Sequence, residues 1–454
     1  MSIFEKTGLA SVFIACIFFI GYYAEQSNFA GIILPYLLAF ACYFVAYRKS
    51  FTPKAVLQLI GLALFARFIL IFGLPTLSDD VYRFIWDGRL WLAGVNPFDH
   101  LPSYYIDKGV AIEGINRELL AQLNSPEYFT IYPPIAQAIF AFAVWLLPNS
   151  ILGATMVMKF ILFLFDFGSI FLIIKLLNRF KLPIKNSLLY ALNPLIIIEI
   201  CGNLHFEGVM IFFLLLSIYC ILATANANTK WIVFAGIAFA CSIAAKLLTI
   251  IFLPFYIKRL GWKNSVLFFG VIGLACVILF FPLINGVFLE NFGESLNLYF
   301  QKFEFNASIY YCLRWIGFQI IGWNLIAIIG PCLAICTFLI IVSKAYYEKN
   351  PTWRLLPMQM LFAITIYLAF TTTVHPWYLA LPILLMVFTN FRFPMVWSLL
   401  IVGTYINYSY QPYFENLFVV GLEYLITISF LFYEIFFTNK SSKSSIFAPI
   451  SPQK

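Results

Sequence analysis

Between Asn264 and Ile284 the chain runs for about twenty residues without a charge, the length a helix needs to cross the roughly 30 Å hydrocarbon core of a bilayer. That stretch is one of many. Apolar runs fall near 8–24, 29–47, 55–73, 131–148, 153–178, 186–200, 206–224, 231–257, 264–284, 308–321, 323–343, 354–373, 377–390, 394–409 and 416–437. Only 11% of the 454 residues are charged and 63% are hydrophobic, against roughly 25% and about half in soluble domains. A water-facing fold has nowhere to bury that surplus. The pattern predicts an all-α, polytopic transmembrane helical bundle of about 11–14 spans. It excludes soluble enzymes, secreted disulfide scaffolds and disordered regulators. A porin-type barrel is excluded too, because its strands alternate in short segments.

The net charge of +8 is no sign of nucleic acid, because Lys and Arg sit in short clusters between apolar runs, as topology determinants do. These clusters are Arg48-Lys49-Lys54, Arg179-Lys181-Lys185, Lys258-Arg259-Lys263, Lys344-Lys349-Arg354, Arg392 and Lys440-Lys443-Lys454. Placed in the cytoplasm, they make the long segment 74–130 external, together with 201–207, 285–307, 374–377 and 410–415. Two runs fit the count poorly. The run 131–148 opens on Tyr132-Pro133-Pro134 and is expected not to cross fully. The run 231–257 has cations at both ends and is expected to be a hairpin whose outer turn falls near Lys246. The first run, Leu9 to Tyr23, lacks a small-residue cleavage site and is expected to be retained as a helix. The nine cysteines lie mostly in apolar runs and read as small buried hydrophobes, not a disulfide or metal set. Residues 1–438 are expected to form one integral-membrane domain, with 74–130 as its external catalytic loop and 439–454 a disordered cytoplasmic tail.

Four polar clusters interrupt this apolar background. The densest is LSDDVYRFIWDGRLWLAGVNPF, residues 77–98. It predicts a short amphipathic helix capped by Ser78, Asp79 or Asp80 and ended by Gly94 and Asn96-Pro97. Asp80, Arg83 and Asp87 then share a face, which on the plainest reading is an i,i+3 ion pair on an interfacial helix. Two adjacent carboxylates raise one another's pKa, and either could take a proton from a sugar hydroxyl. Arg83 and Arg89 have the planar guanidinium suited to phosphate. The second cluster, NPLIIIEICGNLHFEGVM, places Glu199, His205 and Glu207 at the outer end of a helix pair, where ionisable groups are costly and usually functional. Metal ligation by this set has no recognised spacing behind it. Lys246 is the third, a cation that either snorkels to a surface or meets a lipid phosphate. The fourth, TTTVHPWYL, breaks a helix at His375-Pro376 and sets Trp377 and Tyr378 at interface depth. Asp166, midway along its run, reads as the acceptor of a helix–helix hydrogen bond. Asn306-Ala-Ser is a formal glycosylation triplet, with Arg314 nearby.

The string SDDVYRFIWDGRLWLAGVNPF resembles the first-loop signature of polyprenol-phosphate-mannose-dependent mannosyltransferases of the GT-C superfamily of integral-membrane glycosyltransferases. IYPPIAQ, the Asn193-Pro194 helix with the His205/Glu207 turn, Lys246 and HPWYL are similar to that family's features in the same order, so the resemblance covers roughly 77–380. It implies transfer of a hexose, mannose by resemblance, from a polyprenyl-phosphate sugar donor to a glycan or glycolipid acceptor on the external face. Inversion at the anomeric carbon by an Asp base is implied too, and no metal or other cofactor is called for. Carried over to this chain, Asp79 is the catalytic base and Asp80 orients the acceptor. Arg83, Arg89, Lys246 and His375 are the donor-phosphate ligands, and His205, Glu207, Tyr132 and Trp377 the sugar or acceptor contacts. The expected location is a bacterial cytoplasmic membrane, multi-pass among membrane lipids, with the site on the periplasmic side and no role for nucleic acid.

Two other readings stay open at this stage. A transporter or flippase of lipid-linked sugars would use the same aromatic, cation-lined cavity without needing the acidic pair. A ligase or polymerase of the O-antigen type would share the outline and take a diphosphate donor.

Overall fold

The computed structural model describes residues 3–49, 52–223, 228–301 and 303–438. Its regular elements are helices, with one isolated bridge pairing Phe305 and Thr373. The tail expected at 439–454 lies outside the described residues. Seven helices are long and apolar enough to cross a bilayer, and the bent pair Ile184–Ala191 and Pro194–Gly202 would make an eighth. Five shorter apolar helices of 10–17 residues accompany them, so a count of about 11–14 spans is reached only if these cross as well. The run opening on Tyr132-Pro133-Pro134 forms one of the short ones, Pro134–Leu146. At about 1.5 Å per residue it falls well short of the hydrocarbon thickness.

Local chemistry sets the breaks. Thr52 caps the Pro53–Ile69 helix by accepting from the Ala55 amide, with proline at the first helical position where no donor is needed. Ser150 does the same for Ile151–Arg179 through Gly153. Asn193-Pro194 bends its helix pair by 51°, and the Asn193 side chain caps Leu195 while donating to Ser398 Oγ at 3.0 Å. A π-helical turn, Ile197–Gly202, then carries Glu199, and Leu204 at φ +64° turns the chain into the Glu207–Leu222 helix. The Thr229–Ala245 helix stops at Lys246, whose backbone is extended. Beyond a 3-10 turn the chain reverses again at Gly261, at φ +72°. The expected hairpin with its turn at Lys246 is therefore present.

Two of the charges buried in the spanning helices pair with each other, while Lys159 donates to the Leu70 carbonyl. Arg67 forms an ion pair with Asp166 and also donates to the carbonyls of Ala63 and Ala191. Asp166 accepts a second bond from Tyr190 Oη at 2.6 Å. Its helix-to-helix role follows from these contacts, and desolvating a lone carboxylate there would be prohibitive. All nine cysteines are free. Cys312, Cys332 and Cys336 are exposed on their helices, which corrects the expectation of burial for these three.

Among the described residues, the basic clusters around 48, 185, 259, 344 and 392 gather at one end of the bundle. Arg259 forms a two-pronged ion pair with Glu348, at 2.6 and 2.8 Å. Lys185 lies over the Tyr47 ring, and Asn186 donates to the carbonyl of Val387, near Arg392. The helices that leave this end carry the four polar clusters to the other.

Candidate active site

The segment 74–130 folds back onto the bundle end through its own polar side chains. The helix within it is Asp80–Leu92, capped by Asp79 and closed by Gly94 at φ +71°. Asp87 is fully buried and satisfied: it accepts from Arg83 Nε at 2.9 Å, Thr130 Oγ1 at 2.6 Å and Gln137 Nε2 at 2.8 Å. The ion pair is thus i,i+4, between Arg83 and Asp87, and the expected i,i+3 partner Asp80 bonds elsewhere. Arg83 Nη1 donates to the carbonyls of Ser125 and Tyr128. Arg89 donates to the carbonyl of Gly114 at 2.6 Å and to that of Pro148. Both guanidiniums fasten the loop. Trp86 is buried in the same core, and a ring cluster of Phe84, Tyr132, Phe140 and Phe206 ties this helix to Pro134–Leu146 and to the His205 turn. Tyr132 stands in that cluster edge-on to Phe84 at 4.9 Å.

The two aspartates differ in their bonding. Asp80 accepts from Asn124 Nδ2 at 2.9 Å. Asp79 makes no side-chain capping bond, and among the described residues no protein group donates to its carboxylate. Partial burial and, second, the Asp80 charge raise the Asp79 carboxyl above the usual carboxylate range. One neighbour is held and the other keeps its carboxylate without a protein donor among the described residues. A base at Asp79 would have to be ionised, so kcat/KM should fall as pH drops through this raised pKa. Asp80→Asn removes one of the two causes and should move that acid limb to lower pH in a pH–rate profile. A limb that stays in place would contradict the assignment.

The His205 turn is anchored beside this loop. Asn203 accepts from the Leu77 amide at 3.3 Å and donates to Glu199 at 3.1 Å. The buried Glu199 carboxylate also accepts from Tyr405 Oη at 2.8 Å and lies 3.2 Å from His205 Nε2. His205 stacks on Trp377 at 3.8 Å, Trp377 on His375 at 4.4 Å, and His375 on Phe305 at 4.8 Å. With imidazoles on its faces, Trp377 has its edge rather than a face to offer a sugar, a narrower contact than expected. Burial, then the nearness of His205 and Lys246, push the His375 imidazole down to about 3. That direction favours the neutral imidazole. Lys246 is the cation present here: it pairs with Glu207, lies 4.9 Å over the Tyr378 ring and keeps 30% of its side chain exposed.

The buried polar atoms without a hydrogen bond include Glu207 Oε2 and His375 Nδ1, and also His205 Nε2, which still lies 3.2 Å from Glu199 Oε2. Such atoms are rare in folded proteins and mark ligand contacts or strain. Elsewhere in the bundle an apolar cleft of about 220 Å³ is lined by Ile250, Ile251, Pro254, Phe338, Tyr367 and Thr372 among others. It begins within a few residues of Lys246 and ends three residues before His375. No group of three or more His, Cys, Asp or Glu placed to hold a metal occurs among the described residues.

The structure also brings in residues that sequence reasoning passed over or misread. Phe305 reaches His375 because its strand-like segment pairs with Thr372 and Val374. Tyr408 lies beside Phe305, and the carboxylates of Asp80 and Asp79 both bear on its hydroxyl. Asn306 is fully buried, its amide donating to Glu423 and its backbone N–H to Glu415, so the glycosylation triplet is not an acceptor in the folded chain. Arg314 is paired with Glu304.

The acid pair, the Lys246 cation and the ring stack are carried by an all-helical membrane bundle. The family described as alpha-(1->6)-mannopyranosyltransferase, N-terminal domain, matches residues 27–260, more than half of the chain, and the chain belongs to it. It is a mannosyltransferase of GT-C type, which sets aside the transporter reading. Searches of curated proteins and of solved structures returned no match.

Proposed function

We propose that the protein moves mannose from a polyprenyl-phosphate donor to a glycan or glycolipid hydroxyl, with inversion, and with Asp79 as the base. The observation that carries this reading is an apolar cleft whose lining begins at Ile250, four residues past the Lys246 cation. A polyprenyl chain needs a greasy slot open to the bilayer, and its phosphate needs a fixed cation. The acceptor oxygen attacks the anomeric carbon and its proton passes to Asp79. The bond to phosphate breaks, and the electron pair leaves on the phosphate oxygen, where Lys246 offsets the developing charge. Asp80, held by Asn124, orients the acceptor. Glu207 Oε2 and the two histidines contact the sugar or the acceptor, with Trp377 between the rings and Tyr132 behind them. Arg83 and Arg89 support the loop from outside the reaction.

The positive-inside rule favours an external site, because the basic clusters lie at the opposite end; in a bacterium this is the periplasmic face of the cytoplasmic membrane. Residues 1–438 act as one membrane domain in this reading.

Lys246→Met should raise KM for polyprenyl-phosphate mannose by about 10–100-fold, the worth of one charge-assisted hydrogen bond, while KM for the acceptor holds. Because the change strands the buried Glu207, the Lys246→Met/Glu207→Gln double variant should show the same donor defect with recovered stability. An unchanged donor KM in both would overturn the phosphate assignment.

A further inference from the structure

The chain from 401 to 416 lies beyond the region matched to the family, and the charges of Asp80 and Asp79 act on its Tyr408. Its 3-10 segment Ile401–Ser409 is pinned by Phe29 N–H donating to Ser409 Oγ at 3.2 Å. The loop that follows is closed by the Asn416 amide donating to Asn407 Oδ1 at 2.9 Å and the Asn416 side chain donating to Tyr410 Oη at 2.9 Å. Rings lead outward along it. Tyr408, two rings from His375, packs against Tyr413 at 5.7 Å, and Tyr410 packs against Phe414 at 5.6 Å. Tyr413 and Phe414 are 54% and 59% exposed on a closed, hydrogen-bonded loop.

Charge decides what such a surface takes. Between Arg392 and Lys440 the sequence contains no Lys or Arg. The loop's own Glu415 is spent on Asn306 N–H and Tyr311 Oη, and Arg314 is spent on Glu304. An anionic lipid headgroup therefore finds no cation on this loop, whereas a neutral sugar chain needs only ring faces and hydroxyls. We infer that Tyr408, Tyr413 and Phe414 form the acceptor subsite, a row of rings that receives a neutral oligosaccharide of hexose units and leads its end to the acid pair. This rests on the reading of Asp79 as the reacting group.

The test uses binding, so that it does not depend on the donor. Full-length Asp79→Asn protein in nanodiscs is titrated with methyl α-mannoside and with α-1,6-linked mannotetraose. The tetraose should bind more tightly than the monosaccharide. Adding Tyr413→Ala should weaken tetraose binding by about tenfold, the worth of one stacked ring, and Phe414→Ala should act in the same direction. Tyr413→Phe, which keeps the ring, should restore binding. Equal binding of the two sugars, or tetraose binding untouched by both alanine variants, would overturn the subsite. A wild-type protein that bound the tetraose in this pattern yet transferred nothing from polyprenyl-phosphate mannose would overturn the donor reading and leave the subsite standing.

Discussion

Asp79→Asn should lower kcat/KM for mannosyl transfer by about 10²–10⁴-fold, the usual contribution of a positioned general base, with donor binding unchanged. The asymmetry within the acid pair is the reason. Asp80 is held by Asn124, while Asp79 caps the helix through its backbone and leaves its carboxylate without a donor among the described residues. Asparagine preserves shape and removes proton affinity, so the chain should fold and bind while the chemistry stops. Steady-state transfer, with donor binding followed separately, checks this. Loss of donor binding in the same variant would mean that the residue holds phosphate or shape rather than a proton.

Arg83→Met should destabilise the folded 74–130 segment by about 3–5 kcal/mol, the cost of breaking a buried ion pair and leaving one partner uncompensated. The Arg83 and Asp87 side chains are 4% and 0% exposed. Thr130 and Gln137 would still donate to Asp87, but the carbonyls of Ser125 and Tyr128 would lose their donor. Because Asn124 lies next to that anchorage, Asp80 would lose its partner as well, and activity should drop as a consequence of unfolding. Limited proteolysis of the segment and thermal unfolding measure the effect. A variant of normal stability with a raised donor KM would restore Arg83 to the phosphate.

The two arginines show where sequence reading stops. The helix Asp80–Leu92 was legible because an acidic cap and a glycine at its end are local signals. The destinations of Arg83 and Arg89 were not, because their acceptors are backbone carbonyls between 25 and 59 residues downstream, and carbonyls carry no residue-type signature. The polar clusters at 199–207, 246 and 371–377 were legible as breaks in apolar runs. Their joining into one ring stack depends on Leu204 adopting φ +64°, a conformation a leucine does not advertise. Fold class came from hydropathy alone, since a bilayer allows helices few alternatives. The contribution of 401–416 was hidden because aromatic residues near a membrane surface are read first as an interface belt; the Phe414-Glu415 pair was the signal available there.

Transfer from a lipid monophosphate is the claim on which the account turns. Purified protein in proteoliposomes, given polyprenyl-phosphate [¹⁴C]mannose and an α-mannoside acceptor, should release unlabelled polyprenyl phosphate and form a labelled glycan whose new linkage is inverted relative to the donor. Label that stays on the lipid, or passes to the glycan with retained configuration, would contradict it.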